Sequence, residues 1–205
     1  MAEVLFRFAS EDDAAQLLDV YAPYVQNTAV SFEYEVPSQQ EFTERIRAVT
    51  QNYPYLICEV GGRIAGYAYA QRQRERAAYG WNAELSVYLR QAYVRRGIGR
   101  AFCTALLDIL HMQGVENVYG CVTVPNAGSE RLHEAMGFRR IGVFHRTGYK
   151  LGAWHDVAWF EKRIGEAECP AGFVPVSALD AAALAAVLRR SSTLVRCGEE
   201  SESPA

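Results

Sequence analysis

The chain is poor in the features that staple, anchor or broadly charge a protein. Its five cysteines (Cys58, Cys103, Cys121, Cys169 and Cys197) are scattered, odd in number and without a C-x-x-C pair. That argues against a disulfide framework or a thiolate zinc site and for a reducing compartment. No run approaches the roughly 20 apolar residues of a membrane span. The opening MAEVLFRFASEDD lacks the apolar core of a signal peptide, so the expectation is a cytoplasmic protein without a membrane partner. Basic residues number 21 and acidic ones 24, a net charge of −3, so no global basic field recruits nucleic acid. What is present is 205 residues, half of them hydrophobic. That is enough for one domain with a sizeable core.

The hydrophobic pattern divides this length into elements. Val4–Phe8 reads as a strand, and Ser10 with Asp13 three residues on signals a helix start. Ala14, Leu17, Leu18, Tyr21 and Val25 then recur at helical spacing to about Asn27. A second helix is expected from Ser38, with Glu41 as its capping acid, to about Thr50. Tyr55–Val60 and the run after Gly61-Gly62 form a hairpin. Asn82–Leu89 alternates as a strand, with Glu84, Ser86 and Tyr88 on one face. Ile98, Ala101, Phe102, Ala105, Leu106, Ile109 and Leu110 make a helical stripe ending at Gly114. A strand at Val118–Val124, a short helix from Asn126 to Met136, and two long strands turning at Leu151-Gly152-Ala153 complete the series. The order predicts an α/β fold with a mixed sheet, because only the strand–helix–strand around Val94–Val124 demands parallel pairing. Residues 1–165 form the expected domain. Residues 166–205 read as an Ala-rich extension with one helix over 179–190, then a disordered tail from Cys197.

The segment VRRGIGRAF, between a strand and the strongest helix, asks for a ligand. It is neither G-x-G-x-x-G, since Phe102 fills the third glycine position, nor a Walker loop, since Arg100 and Ala101 follow Gly99. Its physics is still that of a phosphate cradle. Gly97 and Gly99 let backbone N–H groups converge, the helix start offers free donors, and Arg95, Arg96 and Arg100 add charge. A solvated turn that merely starts a helix is the competing reading.

VRRGIGRAF, its amphipathic helix, the next strand and NAGSERLHEAMGF together resemble the signature of the GNAT superfamily of acyl-CoA-dependent N-acyltransferases. Val94 stands where that signature usually has Gln or Arg. The segments TAVSFEYE, YPYLICEVGGRIAGYAYA, YGWNAELSVYL, RLHEAMGF and GYKLGAWHDVAWF are most similar to the phosphinothricin and methionine sulfone (sulfoximine) N-acetyltransferases. The resemblance spans about Val4 to Ile164. It implies the GNAT fold, a mixed and mostly antiparallel sheet of about seven strands with flanking helices. It also implies acetyl-CoA as cosubstrate, no metal, a small amine acceptor and a homodimer.

Acetyl transfer to an amine requires a base for the ammonium, a donor to the thioester oxygen and an acid for the leaving thiolate. Glu84, in a strand otherwise suited to burial, is the candidate base, and the resemblance implies the same role. Its competing reading is a strand-end carboxylate paired with Arg72, Arg74 or Arg76. His133 falls where many GNAT proteins carry a tyrosine acid; it is a candidate acid or base, or else a hydrogen-bonded helix histidine. By resemblance, Asn126 and Ser129 hold the pantetheine arm, with Val87, Tyr88 and Leu89 bonding it as an added strand. Arg95, Arg96, Gly97, Ile98, Gly99 and Arg100 hold the pyrophosphate. Phe32, Arg72, Arg74 and Trp81 are expected near the acceptor, an arginine suiting a carboxylate. The reading is direct acetyl transfer in a ternary complex, since no cysteine has an evident activating partner. The alternatives are another amine (a protein N-terminus, polyamine or aminoglycoside) or a non-catalytic acyl-CoA-binding module.

Overall fold

A computed structural model describes residues 2–196; the tail expected from Cys197 lies outside the described residues. Seven strands form one sheet: β1 Val4–Phe8, β2 Tyr55–Val60, β3 Arg63–Arg72, β4 Asn82–Leu89, β5 Asn117–Val124, β6 Arg139–Lys150 and β7 Ala153–Arg163. Their spatial order is β1-β2-β3-β4-β5-β7-β6. Every neighbouring pair is antiparallel except β4 and β5. That is the pair joined by a crossover helix, as the sequence requires.

The helices are α1 Ala14–Asn27, α2 Gln39–Thr50, α3 Ile98–Met112, α4 Ala127–Ala135 and α5 Ala181–Thr193. Their starts follow local chemistry. The Ser10 amide donates to Asp13 at 2.8 Å, and a 3-10 turn rather than α-helix precedes α1. Ser38 and Glu41 cap α2 reciprocally, and the Asp180 carboxylate caps α5. The β2–β3 turn takes positive φ at both Gly61 and Gly62 (58° and 75°), the backbone a two-residue hairpin needs.

Two cores flank the sheet. On one face α1 and α2 bury Leu17, Val20, Phe42 and Ile46 against Ile57 and Tyr67. On the other, all seven residues of the α3 stripe are buried, with Phe6, Leu56, Ala68 and Phe160. The extension joins this second core. Phe173 packs on Tyr53 with ring centroids 4.9 Å apart. Fully buried Gln113 donates to Asn52 O and Val174 O at 2.7 and 2.8 Å. Helix α5, three residues longer at its end than its sequence pattern indicates, lies against α3 and β1 with Val187 buried.

One irregularity positions the site. β4 and β5 pair only from Asn82↔Asn117 to Leu85↔Gly120. Beyond that, β4 follows β3 as far as Leu89 while β5 follows β7 as far as Asp156. The sheet therefore splits at its centre.

Candidate active site

The split holds a cavity of about 270 Å³ lined from both faces of the sheet. Pleating assigns the faces. Glu84 and Ser86 stand opposite Gln71 and Tyr69, on the α1/α2 face, where Ser31 and Phe32 close over the cavity. His133 packs on Phe160 from the α3 face, and Asn126, Ser129 and Leu132 line that side. The acid and the imidazole thus approach one gap from opposite faces.

Glu84 is half-buried and has no ion pair among the described residues. The pairing with Arg72, Arg74 or Arg76 does not occur. Burial raises its pKa above the ordinary value of 4.5, as it does for a carboxyl lacking compensating donors. Such a carboxylate is a better proton acceptor than a solvated one.

His133 is held tightly. Its Nδ1 lies 2.8 Å from Ser129 O, which can only accept, so Nδ1 carries the hydrogen and Nε2 the lone pair. The ring stacks on Phe160 at 5.0 Å and meets Phe138 edge-on at 5.1 Å. Its Nε2 occupies the space a side chain on Gly120 would need: a Cβ there would sit 2.2 Å away. Burial lowers the pKa below 6.5, partly opposed by the Ser129 bond. A neutral imidazole whose one N–H is already used has no proton ready for a thiolate. The acid reading loses support, leaving a base or a packed helix histidine.

The strand expected to bond the pantetheine arm offers less than three residues. Arg90 N donates to Ala65 O at 2.8 Å, so by alternation Tyr88 turns its polar groups towards β3, and Val87 and Leu89 turn theirs into the split. The Tyr24 hydroxyl then takes both of Leu89's, donating to its O at 2.6 Å and accepting from its N at 3.2 Å. Of Val87, Tyr88 and Leu89, Val87 alone keeps its N–H and C=O directed into the cavity.

The glycine loop has two separate reasons for its glycines. Gly97 is the N-cap of α3 at φ 85°, and Arg95 also has positive φ, 65°. Lacking a side chain, Gly97 cannot cap, so the first N–H groups of α3 stay open to an external anion. Gly99 serves close approach: a Cβ would lie 3.2 Å from Leu132 of α4. Arg95 and Arg100 are exposed, and Arg96 lies over the Tyr93 ring at 5.2 Å. Asn126 spends its Oδ1 on the Ser129 amide at 3.2 Å, capping α4, which leaves its side-chain NH₂ as the donor for a ligand.

The acceptor side departs most from expectation. Phe32 lines the cavity, its ring lying over Gly148. Arg74 is close enough to Tyr119 for its charge to act on that hydroxyl, and Tyr119 neighbours Glu84 across the parallel pair. Arg72 pairs with Ala83 on the opposite face and donates to Glu75 O at 3.3 Å. Trp81 donates to Ala171 O at 2.7 Å, anchoring the extension instead of lining the cavity. Sequence reasoning missed Lys150, 3% exposed, whose Nζ donates to Ser31 O at 2.6 Å and ties the covering loop to β6. Tyr21 adds a 2.7 Å hydroxyl contact to Ser31 from α1. Two cysteines line the cavity, but burial pushes the Cys103 thiol up to about 12, and burial followed by the charge of Glu84 does the same to Cys121. Among the described residues no group of three His, Cys, Asp or Glu could hold a metal ion.

A seven-stranded sheet split between its one parallel pair, with a helix whose glycine start leaves its first N–H groups open beside the split, is the arrangement of an acyltransferase fold. Residues 6–159 match the family model described as "Acetyltransferase (GNAT) domain", and the chain belongs to that family of acetyltransferases. Within it, the chain is similar to the phosphinothricin N-acetyltransferase of Streptomyces viridochromogenes, with 36% identity over 84% of this chain and 93% of that one. It is also similar to the L-methionine sulfoximine/L-methionine sulfone acetyltransferase of Salmonella typhimurium, with 27% identity over 80% and 96%. Among solved structures, a phosphinothricin acetyltransferase from Sinorhizobium meliloti in complex with acetyl-CoA superposes with a TM-score of 0.80. It is 31% identical and is matched over 85% of this chain and 97% of that one.

Proposed function

We propose that this chain transfers acetyl from acetyl-CoA to the amino group of a small amino-acid-like acceptor of the phosphinothricin, methionine sulfone or sulfoximine type, by direct attack within a ternary complex. The observation that carries the reading is Glu84, unpaired and raised in pKa, facing the split from the side opposite α3 and α4. The residues fit the coenzyme: open amides and arginines at the start of α3 suit its phosphates, and the Val87 edge with the Asn126 NH₂ suits its amide-bearing arm.

Acetyl-CoA supplies the acyl group activated as a thioester. On the other face, Glu84 takes a proton from the acceptor ammonium and frees the nitrogen lone pair. The Val87 N–H would face the carbonyl oxygen as charge develops there. As the C–S bond breaks, the second proton of the attacking nitrogen passes to the departing thiolate and Glu84 returns its proton to solvent. Cys103 and Cys121, raised in pKa, are poor acyl carriers, which favours direct transfer. Arg74, with its guanidinium over the Tyr79 ring at 5.4 Å on the Glu84 side of the sheet, is of the two arginines the one that suits an acceptor carboxylate, and Phe32 provides an apolar wall. Neutral His133 orders the coenzyme side of the split, its Nε2 lone pair free to accept a hydrogen bond or a proton. Four free cysteines among the described residues fit a reducing, cytoplasmic setting.

Mass spectrometry of products from acetyl-CoA and a panel of amines tests the reading. The panel holds phosphinothricin, methionine sulfone and sulfoximine, ordinary amino acids, a polyamine, an aminoglycoside and an N-terminal peptide. Acetylation concentrated in the first three is expected. Turnover confined to the cationic amines would move the acceptor class, and coenzyme binding without any product would make the chain a binding module.

The β6–β7 hairpin is the natural homodimer surface. β6 is a 12-residue edge strand, and Ile141, Phe144, Tyr149, Leu151 and Trp154 are all exposed on the hairpin. A long apolar edge invites pairing. Light scattering should give twice the chain mass, and Phe144→Asp should return a monomer; a wild-type monomer would overturn the assignment.

A further inference from the structure

The last described residues of the C-terminal extension meet the phosphate loop. Arg196 N donates to Arg96 O at 2.9 Å, and Leu194 O stands 3.1 Å from the place of a Cβ on Gly97. Beside this seam, between the loop, the start of β1 and the β2–β3 turn, lies a second cavity of about 480 Å³. Three guanidinium-bearing residues border it, each from a different part of the chain: Arg63 at the start of β3, Arg96 in the loop and Arg196 after α5. Among the described residues none of the three has a carboxylate within ion-pair distance. Gathered cations without a counter-ion repel one another, and a multiply charged oxyanion between them reverses the sign of that term.

We infer that this cavity is a phosphate-monoester site which seats the 3′-phosphate of the coenzyme, with Arg196 and Arg63 as specificity-determining residues for the phosphorylated form. The inference rests on acetyl-CoA as the donor. The open amides of α3 suit the diphosphate, and the remaining phosphate of coenzyme A is one ribose away from it. Arg96 belongs to both places: it sits in the diphosphate loop and lines the cavity. Guanidinium is the group that matches a phosphate monoester, through paired N–H donors in one plane. The family match stops at residue 159, so Arg196 and the helix that delivers it lie outside the matched domain. On this view the extension is a built part of the coenzyme site: α5 is fixed against α3 and β1 so that the residues following it reach the loop.

Isothermal titration of the full chain with coenzyme A and with 3′-dephospho-coenzyme A tests this. The wild type should bind the phosphorylated form on the order of 10–100-fold more tightly, the scale of two or three charge-assisted contacts partly exposed to water. Arg63→Ala/Arg196→Ala should bind both forms with the affinity the wild type shows for the dephosphorylated one. Both positions are exposed, so folding is not at stake, and Arg196→Glu should weaken the phosphorylated form further. Equal binding of the two forms by the wild type, or an equal loss of both in the double variant, would overturn the assignment while leaving acetyl-CoA as donor. Failure of both forms to bind would overturn the donor itself and this site with it.

Discussion

Glu84→Gln is expected to lower kcat by about 10²–10⁴-fold, the range for loss of a positioned general base, with coenzyme binding unchanged. Gln keeps the volume and the hydrogen-bonding oxygen and removes only the proton acceptor. The coenzyme loop and the Val87 edge lie on other segments and stay as they are. The pH profile should agree. Turnover by the wild type should fall as the pH drops through the raised pKa of Glu84, and the acidic limb should vanish in the variant. Stability should move the other way. A carboxyl whose folded pKa is raised contributes stability that is full below 4.5 and is lost as the pH rises through the folded value. At neutral pH the ionised, half-buried group therefore costs the fold something that Gln does not. Glu84→Gln should melt at the same or a higher temperature, the exchange of stability for activity expected at a reactive site. Wild-type turnover in this variant would remove Glu84 from the mechanism. A fall in both turnover and melting temperature would point to a structural role.

How much of this site was legible from the sequence depended on whether one segment or several create it. The α3 stripe, the Gly61-Gly62 hairpin and the Ser38–Glu41 cap are set by neighbours a few residues apart, so pattern and capping rules reach them. The position of Glu84 on a strand face follows from alternation alone. The split between β4 and β5 does not, because it depends on β7 drawing β5 away, about 40 residues further along the chain. Tyr24 taking the backbone of Leu89 is equally invisible, since α1 must first be laid across β4. Arg72 and Arg74 show the limit most clearly. They are two residues apart in a basic run that looks like one feature. In the fold, pleating sends Arg72 to the Tyr53 side of the sheet, while Arg74, past the end of β3, lies over the Tyr79 ring with its charge acting on Tyr119 on the other. Trp81 was placed near the acceptor because its segment approaches the site, yet its indole is committed to the extension.

Gly120→Ala should have an effect out of proportion to one methyl group, because the space it enters belongs to His133. The added carbon would lie 2.2 Å from Nε2 and 2.7 Å from Cδ2, so the imidazole must leave. It cannot shift slightly, because Ser129 O holds Nδ1 and Phe160 and Phe138 enclose the ring. Leaving means breaking that hydrogen bond and the stacking together, and the expected loss is about 1–3 kcal/mol, the usual scale of overpacking. His133→Ala should lose a similar amount by opening a void. In the double variant the new methyl fills part of that void, so the two losses should fall well short of adding. The acid response gives an independent reading. The folded pKa of His133 is depressed below 6.5, so its contribution to stability is present above that value and is lost as the pH falls through the folded one. Both single variants should be less acid-sensitive than the wild type. Activity then separates the two roles left open by the geometry. If His133 only shapes the coenzyme side, both variants should raise KM for acetyl-CoA with kcat largely kept. If its Nε2 takes a proton during turnover, kcat should fall in both, with KM for acetyl-CoA little changed. Additive stability losses in the double variant would mean that the imidazole does not occupy the Gly120 notch at all.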